Sequence, residues 1–257
     1  MRLDVYLASC GMAKSRSRAA ELISGGYVTV DGRTVTKASF NVEESNEVLV
    51  TGEEHSFVSR GGMKLDSALD RFGLDVKGMV CADIGASTGG FTDCLLRRGA
   101  VHVYAVDSGS GQLDASLVND DRVTNLENVN ARYLDDSIIP EKCGCAVADL
   151  SFISQTLVIE AVRGILADDG RYVALIKPQF ECGRDAVGKG GIVKDKKQHT
   201  AAIRKVLASA SQNGLAPQGI IKSPIKGGDG NTEFLFIAKC GGISCVTEKD
   251  ISDAVNE

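Results

Sequence analysis

Four charged residues stand where the sequence makes charge costly. Asp149 ends one apolar run, in Ala148-Asp149-Leu150-Ser151-Phe152, and Lys177 ends another, in Leu175-Ile176-Lys177-Pro178. Lys64 lies in Ser59-Arg60-Gly61-Gly62-Met63-Lys64-Leu65, and Glu233 heads the last apolar run. A carboxylate or an ammonium in such a place is unfavourable unless paired. One account is a structural ion pair. The other is proton chemistry on a weakly acidic hydroxyl. Lys177 could be the base if burial and a second ammonium made its proton about 4 kcal/mol easier to lose. Lys64 would supply that second charge, and Asp149 and Glu233 would orient the pair.

A second cluster is a glycine-rich turn, Asp83-Ile84-Gly85-Ala86-Ser87-Thr88-Gly89-Gly90-Phe91. Glycines let backbone approach a ligand closely, and a helix starting near Gly90 offers its free N–H groups. The pattern is D-x-G-x-x-x-G-G, and Ser87 occupies the place of the second glycine of a dinucleotide fingerprint. It resembles the S-adenosylmethionine loop of class I methyltransferases. That resemblance implies Asp83, Gly85, Ser87, Gly89, Gly90 and Phe91 around the cofactor, with Asp83 suited to a sulfonium cation. Asp107, 22 residues after Gly85, ends the next run, where a carboxylate can accept both ribose hydroxyls of a nucleoside cofactor or of NAD. Asn130 is either an adenine contact or an ordinary turn residue. With such a cofactor the hydroxyl chemistry becomes methyl transfer: a ribose 2′-OH must lose its proton as it attacks. In-line placement supplies the rest of the rate.

These residues need a scaffold that brings strand ends together. Apolar runs at Met79–Ile84, Val101–Val106, Val123–Leu126, Cys145–Leu150 and Tyr172–Lys177 alternate with helical stretches near 61–72, 90–98, 155–166 and 195–213. A late strand covers Glu233–Ala238. Uninterrupted apolar strands indicate a parallel sheet covered on both faces, so the fold class is α/β, doubly wound. Ligands in such sheets bind beyond the strand C-termini at the switch point, which is where the polar residues fall. The tail after Gly241-Gly242 is polar and reads as peripheral.

The first 50 residues have a different character. Residues 2–9 read as one helix, Ser15 caps a second that ends at Gly25-Gly26, and Asp31-Gly32 closes a hairpin between 27–30 and 33–35. Glu47–Val50 is a closing strand. Lys14, Arg16 and Arg18 crowd the positive end of the second helix, where cations are unfavourable and a phosphate would be welcome. This order of elements resembles the S4 RNA-binding module. The boundaries that follow are 1–50 for an S4-like α+β domain, 51–59 for a polar linker, 60–242 for a methyltransferase domain and 243–257 for a tail.

Composition sets limits. The 257 residues carry a net charge of −5, which argues against nucleic acid until it is divided. Residues 1–40 hold +3, residues 41–57 hold −5 and the remainder −3. No run reaches the roughly 18 apolar residues of a membrane helix, and Met1-Arg2-Leu3-Asp4 opens no secretory signal. The eight cysteines include no C-x-x-C, and the three histidines are not spaced with them as ligands. Reduced thiols, a cytoplasmic location and no metal are expected.

The strings SRGGMKL, DIGASTGGFTDCLL, VDSGSGQL, ADLSFIS, IKPQFECGRDAVGKGGIVKD and NTEFL, behind an S4-like module, resemble the TlyA family, often labelled hemolysin A. The K–D–K–E order of Lys64, Asp149, Lys177 and Glu233 resembles the tetrad of FtsJ-like ribose 2′-O-methyltransferases. The resemblance implies methylation of cytidine in ribosomal RNA, with S-adenosylmethionine as cofactor and ribosomal RNA or a subunit as partner, not DNA or a membrane. Arg2, Lys14, Arg16, Arg18, Arg60, Arg184 and Lys189 are the candidate RNA contacts, and the glycine-rich segment 179–194 is either a closing loop or a solvated one. Two stretches depart from relatives: His55-Ser56-Phe57-Val58, where Arg and Trp are common, and Ser110 and Ala115, where aromatics are. The competing readings are a non-catalytic RNA-binding or ribosome assembly factor, a membrane-lytic protein, an NAD enzyme and a pseudouridine synthase.

Overall fold

The computed structural model describes every residue except 14, 44, 51–56 and 228–229. The chain divides into two compact units, Met1–Ser56 and Phe57–Glu257.

The first unit packs two helices on a three-stranded antiparallel sheet. Helices α1 (Leu3–Ser9) and α2 (Arg16–Ser24) precede strands β1 (Val28–Val30), β2 (Arg33–Thr34) and β3 (Val48–Val50), in the order β2-β1-β3. Leu3, Leu7, Leu22, Ile23, Val28 and Val48 form its core. The Arg18 N–H donates to Ser15 Oγ at 3.2 Å, the N-cap expected there. Asp31 and Gly32 both take positive φ (51° and 74°), as a two-residue hairpin turn of the expected type demands. The Asp31 carboxylate then accepts from Glu47 N and Asn46 Nδ2, tying the turn to the approach of β3.

The second unit is a seven-stranded sheet with helices on both faces. Its elements run α3 (Gly61–Phe72), β4 (Val80–Ile84), α4 (Gly90–Arg97), β5 (His102–Val106), α5 (Ala115–Val118), β6 (Val123–Leu126), β7 (Cys143–Ala148), α6 (Ile159–Ile165), β8 (Leu166–Ile176), α7 (Pro178–Glu181), α8 (Lys196–Gln212), β9 (Leu215–Lys222), β10 (Phe234–Cys240) and α9 (Glu248–Asn256). The sheet order is β6-β5-β4-β7-β8-β10-β9. Strands β4 to β8 are parallel, and β10 runs antiparallel between β8 and β9. One face packs on α3, α4 and α5, and the other on α6, α8 and α9.

Two expectations change here, and one strand is added. Strand β9 has no clear signature because Pro217 and Gly219 interrupt it. Proline is tolerated since this is an edge strand, and a bulge opposite Ile237–Ala238 absorbs the irregularity. The tail is not peripheral: Thr247 and Asp250 form a capping box, and Ile251, Ala254 and Val255 are buried in the main core. The linker ends earlier than residue 59. Phe57 and Val58 pack on the α3–α4 core, Val58 N donates to Asp93 Oδ2, and the Arg97 guanidinium lies over the Phe57 ring. The rest of the linker, including His55 and Ser56, lies outside the described residues.

Candidate active site

The sheet's switch point lies between β4 and β7, whose neighbours depart in opposite directions. Register aligns the ends: Ile84 pairs with Val106 on one side and Ala148 on the other. Beyond these ends opens a cleft of about 380 Å³, lined by Gly85, Ser87, Asp107, Asn130, Asp149 and Phe152 among others. That volume suits a nucleoside-sized ligand.

Gly85 is dictated twice. Its φ is +84°, and a Cβ there would meet the Asp149 carbonyl oxygen at 2.8 Å. Ser87 also takes positive φ (48°), and its N–H donates to Asp107 Oδ2 at 2.8 Å. Asp107 Oδ1 accepts from Gly109 N at 2.7 Å, so this carboxylate holds the loop and faces the cleft together. Asn130 lines the cleft, and its Oδ1 accepts from Arg132 N to cap a short 3₁₀ turn.

The remaining loop residues stand behind the cleft. Asp83 is wholly buried, and its Oδ2 accepts from Thr92 N (2.9 Å) and Thr92 Oγ1 (2.7 Å). It fastens the start of α4 to β4 instead of lining the cavity. Burial pushes its carboxyl up to about 7, against the pull of the Thr92 hydrogen bonds. Gly89 is in the left-handed region and leaves room for Leu113 and Leu117. Gly90 abuts the backbone of Gly62, which lets α3 and α4 start in contact, and Phe91 is buried beside Gly61.

The four charges converge at Asp149, which lines the cleft. Lys64 Nζ lies 2.6 Å from Glu233 Oε2 and 4.0 Å from Asp149 Oδ2. Lys177 Nζ lies 2.6 Å from Asp149 Oδ1, a charge contact without hydrogen-bond alignment, and donates to Ser151 Oγ at 2.9 Å. Asp149 thus faces both lysines. Strand pairing explains the assembly. Phe234 pairs with Ile176, so Glu233 and Lys177 are each one residue beyond that pair. Ala148 pairs with Ala174, which brings Asp149 alongside. Lys64 reaches in from the first turn of α3.

Several contributors carried no signal of their own. Ser151 accepts from Lys177, and a side chain at Gly227 would strike the Glu233 carboxylate at 2.4 Å. Phe152 is 92% exposed at positive φ (64°), with its ring 5.2 Å from that of Phe180. Asn231, buried, accepts from Val193 N and donates to Gly191 O, while His199 Nε2 pairs with Val193 O. The far end of segment 179–194 is therefore anchored.

The candidate RNA residues are dispersed. In the first unit Arg2 and Arg16 both pair with Asp4, at 2.9 and 3.2 Å. Their charge holds the Asp4 carboxyl down at about 2, chiefly through the Arg2 hydrogen bond. One carboxylate shared by two guanidiniums compensates the cation at the start of α2 in part. Lys14 lies outside the described residues, as does the side chain of Arg184. In the second unit Arg60 donates to the Lys226 carbonyl, and Lys189 is exposed.

Residues 57–240 match the FtsJ-like methyltransferase family and residues 1–48 match the S4 domain. The sequence is 42% identical over 256 residues to the 16S/23S rRNA (cytidine-2'-O)-methyltransferase TlyA of Mycobacterium tuberculosis, covering 99% of this chain and 96% of that one. The chain belongs to the TlyA family. Another relative is Hemolysin A of Brachyspira hyodysenteriae, 40% identical, covering 91% of this chain and 98% of that protein. A solved structure of a hemolysin-named protein from Streptococcus thermophilus superimposes with a TM-score of 0.81 at 39% identity, covering 100% of this chain and 94% of that one. TlyA-family membership makes this chain a methyltransferase with S-adenosylmethionine as its cofactor. The cleft fits that group: Gly85 admits close approach, Asp107 presents a carboxylate and Asn130 an amide. An antiparallel β10 between β8 and β9 also separates the sheet from the parallel 3-2-1-4-5-6 order of dinucleotide dehydrogenases.

Proposed function

We propose that the chain methylates the ribose 2′-oxygen of cytidine in ribosomal RNA, in the cytoplasm, with its S4 unit binding the RNA. The observation that carries this reading is Asp149 facing both Lys64 and Lys177 at the wall of the cleft. The TlyA relatives from Mycobacterium tuberculosis and Campylobacter jejuni, both rRNA (cytidine-2'-O)-methyltransferases, supply the substrate class.

S-adenosylmethionine supplies an electrophilic methyl group. Gly85, Ser87, Asp107 and Asn130 would hold it. Lys177 Nζ, acting as the neutral amine, would accept the proton of the ribose hydroxyl and become ammonium as that oxygen attacks the methyl group. Asp149 and Ser151 fix the direction of that amine from two sides. The buried Lys64–Glu233 pair stands behind Asp149 and keeps it in place. Phe152 offers a bare aromatic face beside this wall, suited to stack the base of an unpaired nucleotide. The four charges are arranged for a reaction as well as for stability, which disfavours a purely assembly-directed role.

The test is transfer of a labelled methyl group from S-adenosylmethionine to ribosomal RNA by the purified protein. Lys177→Ala should lower the rate by about 10²–10⁴ while leaving cofactor binding intact. Full activity in Lys177→Ala would remove the base assignment. The name of the Brachyspira relative also raises membrane lysis. Among the described residues no helix is long and apolar enough to cross a membrane.

A further inference from the structure

A second polar network lies behind the cleft wall and reaches both segments that carry the proposed chemistry. Glu181, the last residue of α7, is buried. Its Oε2 accepts from Ser154 Oγ at 2.5 Å and its Oε1 from Gln155 N at 2.7 Å. Lys205 of α8 donates to the Glu181 carbonyl at 2.9 Å and lies 3.4 Å from its carboxylate. Gln155, also buried, continues the chain: its Nε2 donates to Leu175 O and its Oε1 accepts from Tyr172 Oη. The network therefore joins α8, α7, the loop after β7 and the body of β8.

Both clasped segments bear on the reaction. Lys177 is the residue that opens α7, four positions before Glu181. Asp149, Ser151 and Phe152 lie on the loop that ends at Ser154 and Gln155. Phe152 holds a left-handed backbone, which for a non-glycine residue costs of order 1 kcal/mol or more and persists only when its surroundings over-determine it. Glu181 supplies that constraint on one side, and the Phe152–Phe180 ring contact supplies it on the other. The buried carboxylate accepts from two donors of one loop and from Lys205 of α8, so it ties that loop and α8 to α7.

We infer that Glu181 is a positioning residue: it clasps the 149–155 loop to α7 and so sets the Lys177–Ser151–Asp149 spacing and the pose of Phe152. This rests on the proposed role of Lys177 as base. Glu181 does not line the cleft.

The test uses the full-length protein, with labelled methyl transfer to ribosomal RNA, cofactor titration by calorimetry and thermal melting on each variant. In Glu181→Gln one oxygen still accepts from Gln155 N, but the amide can no longer accept from Ser154. Its kcat should fall about tenfold, with the S-adenosylmethionine Kd within twofold of wild type, because the Gly85–Asp107–Asn130 wall is untouched. Ser154→Ala, a milder change, should lower kcat about threefold with the same split. Full kcat in both folded variants would overturn the inference. So would a parallel loss of kcat and cofactor affinity, since that marks general loosening of the fold. Lys177→Ala in the same assay separates the two claims: if it is inactive while Glu181→Gln is fully active, only the positioning role fails. Full activity in Lys177→Ala would remove the base assignment on which the inference stands.

Discussion

Lys64 and Glu233, 169 residues apart, meet at 2.6 Å with both side chains buried. Removing one partner of a buried pair strands the other charge in the interior, which costs about 3–5 kcal/mol. Glu233→Ala should therefore lower stability by that order in chemical denaturation. Lys64→Met combined with Glu233→Leu should recover most of the loss, since matched apolar groups need no counter-charge. The double variant should nonetheless be inactive. Stability restored together with activity would show that the pair is structural only.

Gly85 admits no side chain. Its φ is positive, and a Cβ would stand only 2.8 Å from Asp149 O, so alanine has nowhere to go without moving the loop. Gly85→Ala should cost about 1–3 kcal/mol in melting experiments and weaken S-adenosylmethionine binding in calorimetry by tenfold or more. Unchanged affinity would show that the cofactor does not lie against this turn.

Asp83 gives the fold a pH signature. Burial raises its carboxyl to about 7, above the ordinary 3.8, so the folded protein binds the proton more tightly than the unfolded chain. Stability from this residue is fully present below about pH 4 and is lost as pH rises through about 7. Asp83→Asn keeps an oxygen for Thr92 and removes the titration. The melting temperature of Asp83→Asn minus that of wild type should increase from pH 4 to 7 and level off above. A constant difference across that range would show that Asp83 does not titrate there.

Asp4 offsets two of the candidate RNA contacts. Asp4→Asn releases Arg2 and Arg16 from their ion pairs and should tighten RNA binding at low salt, with a steeper dependence on salt concentration. Arg16→Ala should weaken binding and flatten the slope. If neither variant alters the slope, this face of the S4 unit does not meet phosphate.

Much of the second unit could be read from the chain because its information is local. Apolar runs without alternation mark buried parallel strands, and two of the four misplaced charges, Asp149 and Lys177, follow their ends. Their mutual distances were not legible, since these depend on β10 inserting antiparallel beside β8, a pairing between segments nearly 60 residues apart. The polar partners were hidden for the same reason. Thr92, Ser151, Glu181 and Asn231 act through contacts that only the folded sheet creates. The edge strand β9 and the helix α9 were missed because Pro217 and a polar surface masked short amphipathic segments. In the first unit, reading Arg16 against the helix dipole overlooked Asp4, twelve residues earlier and folded back to meet it.

The most direct measurement is a map of ribose 2′-O-methyl groups in ribosomal RNA from cells that lack the gene, compared with cells restored by wild type or by Lys177→Ala. The account predicts that at least one cytidine loses its 2′-O-methyl group in the deletion and regains it only with the wild-type chain. An identical map in all three would contradict it.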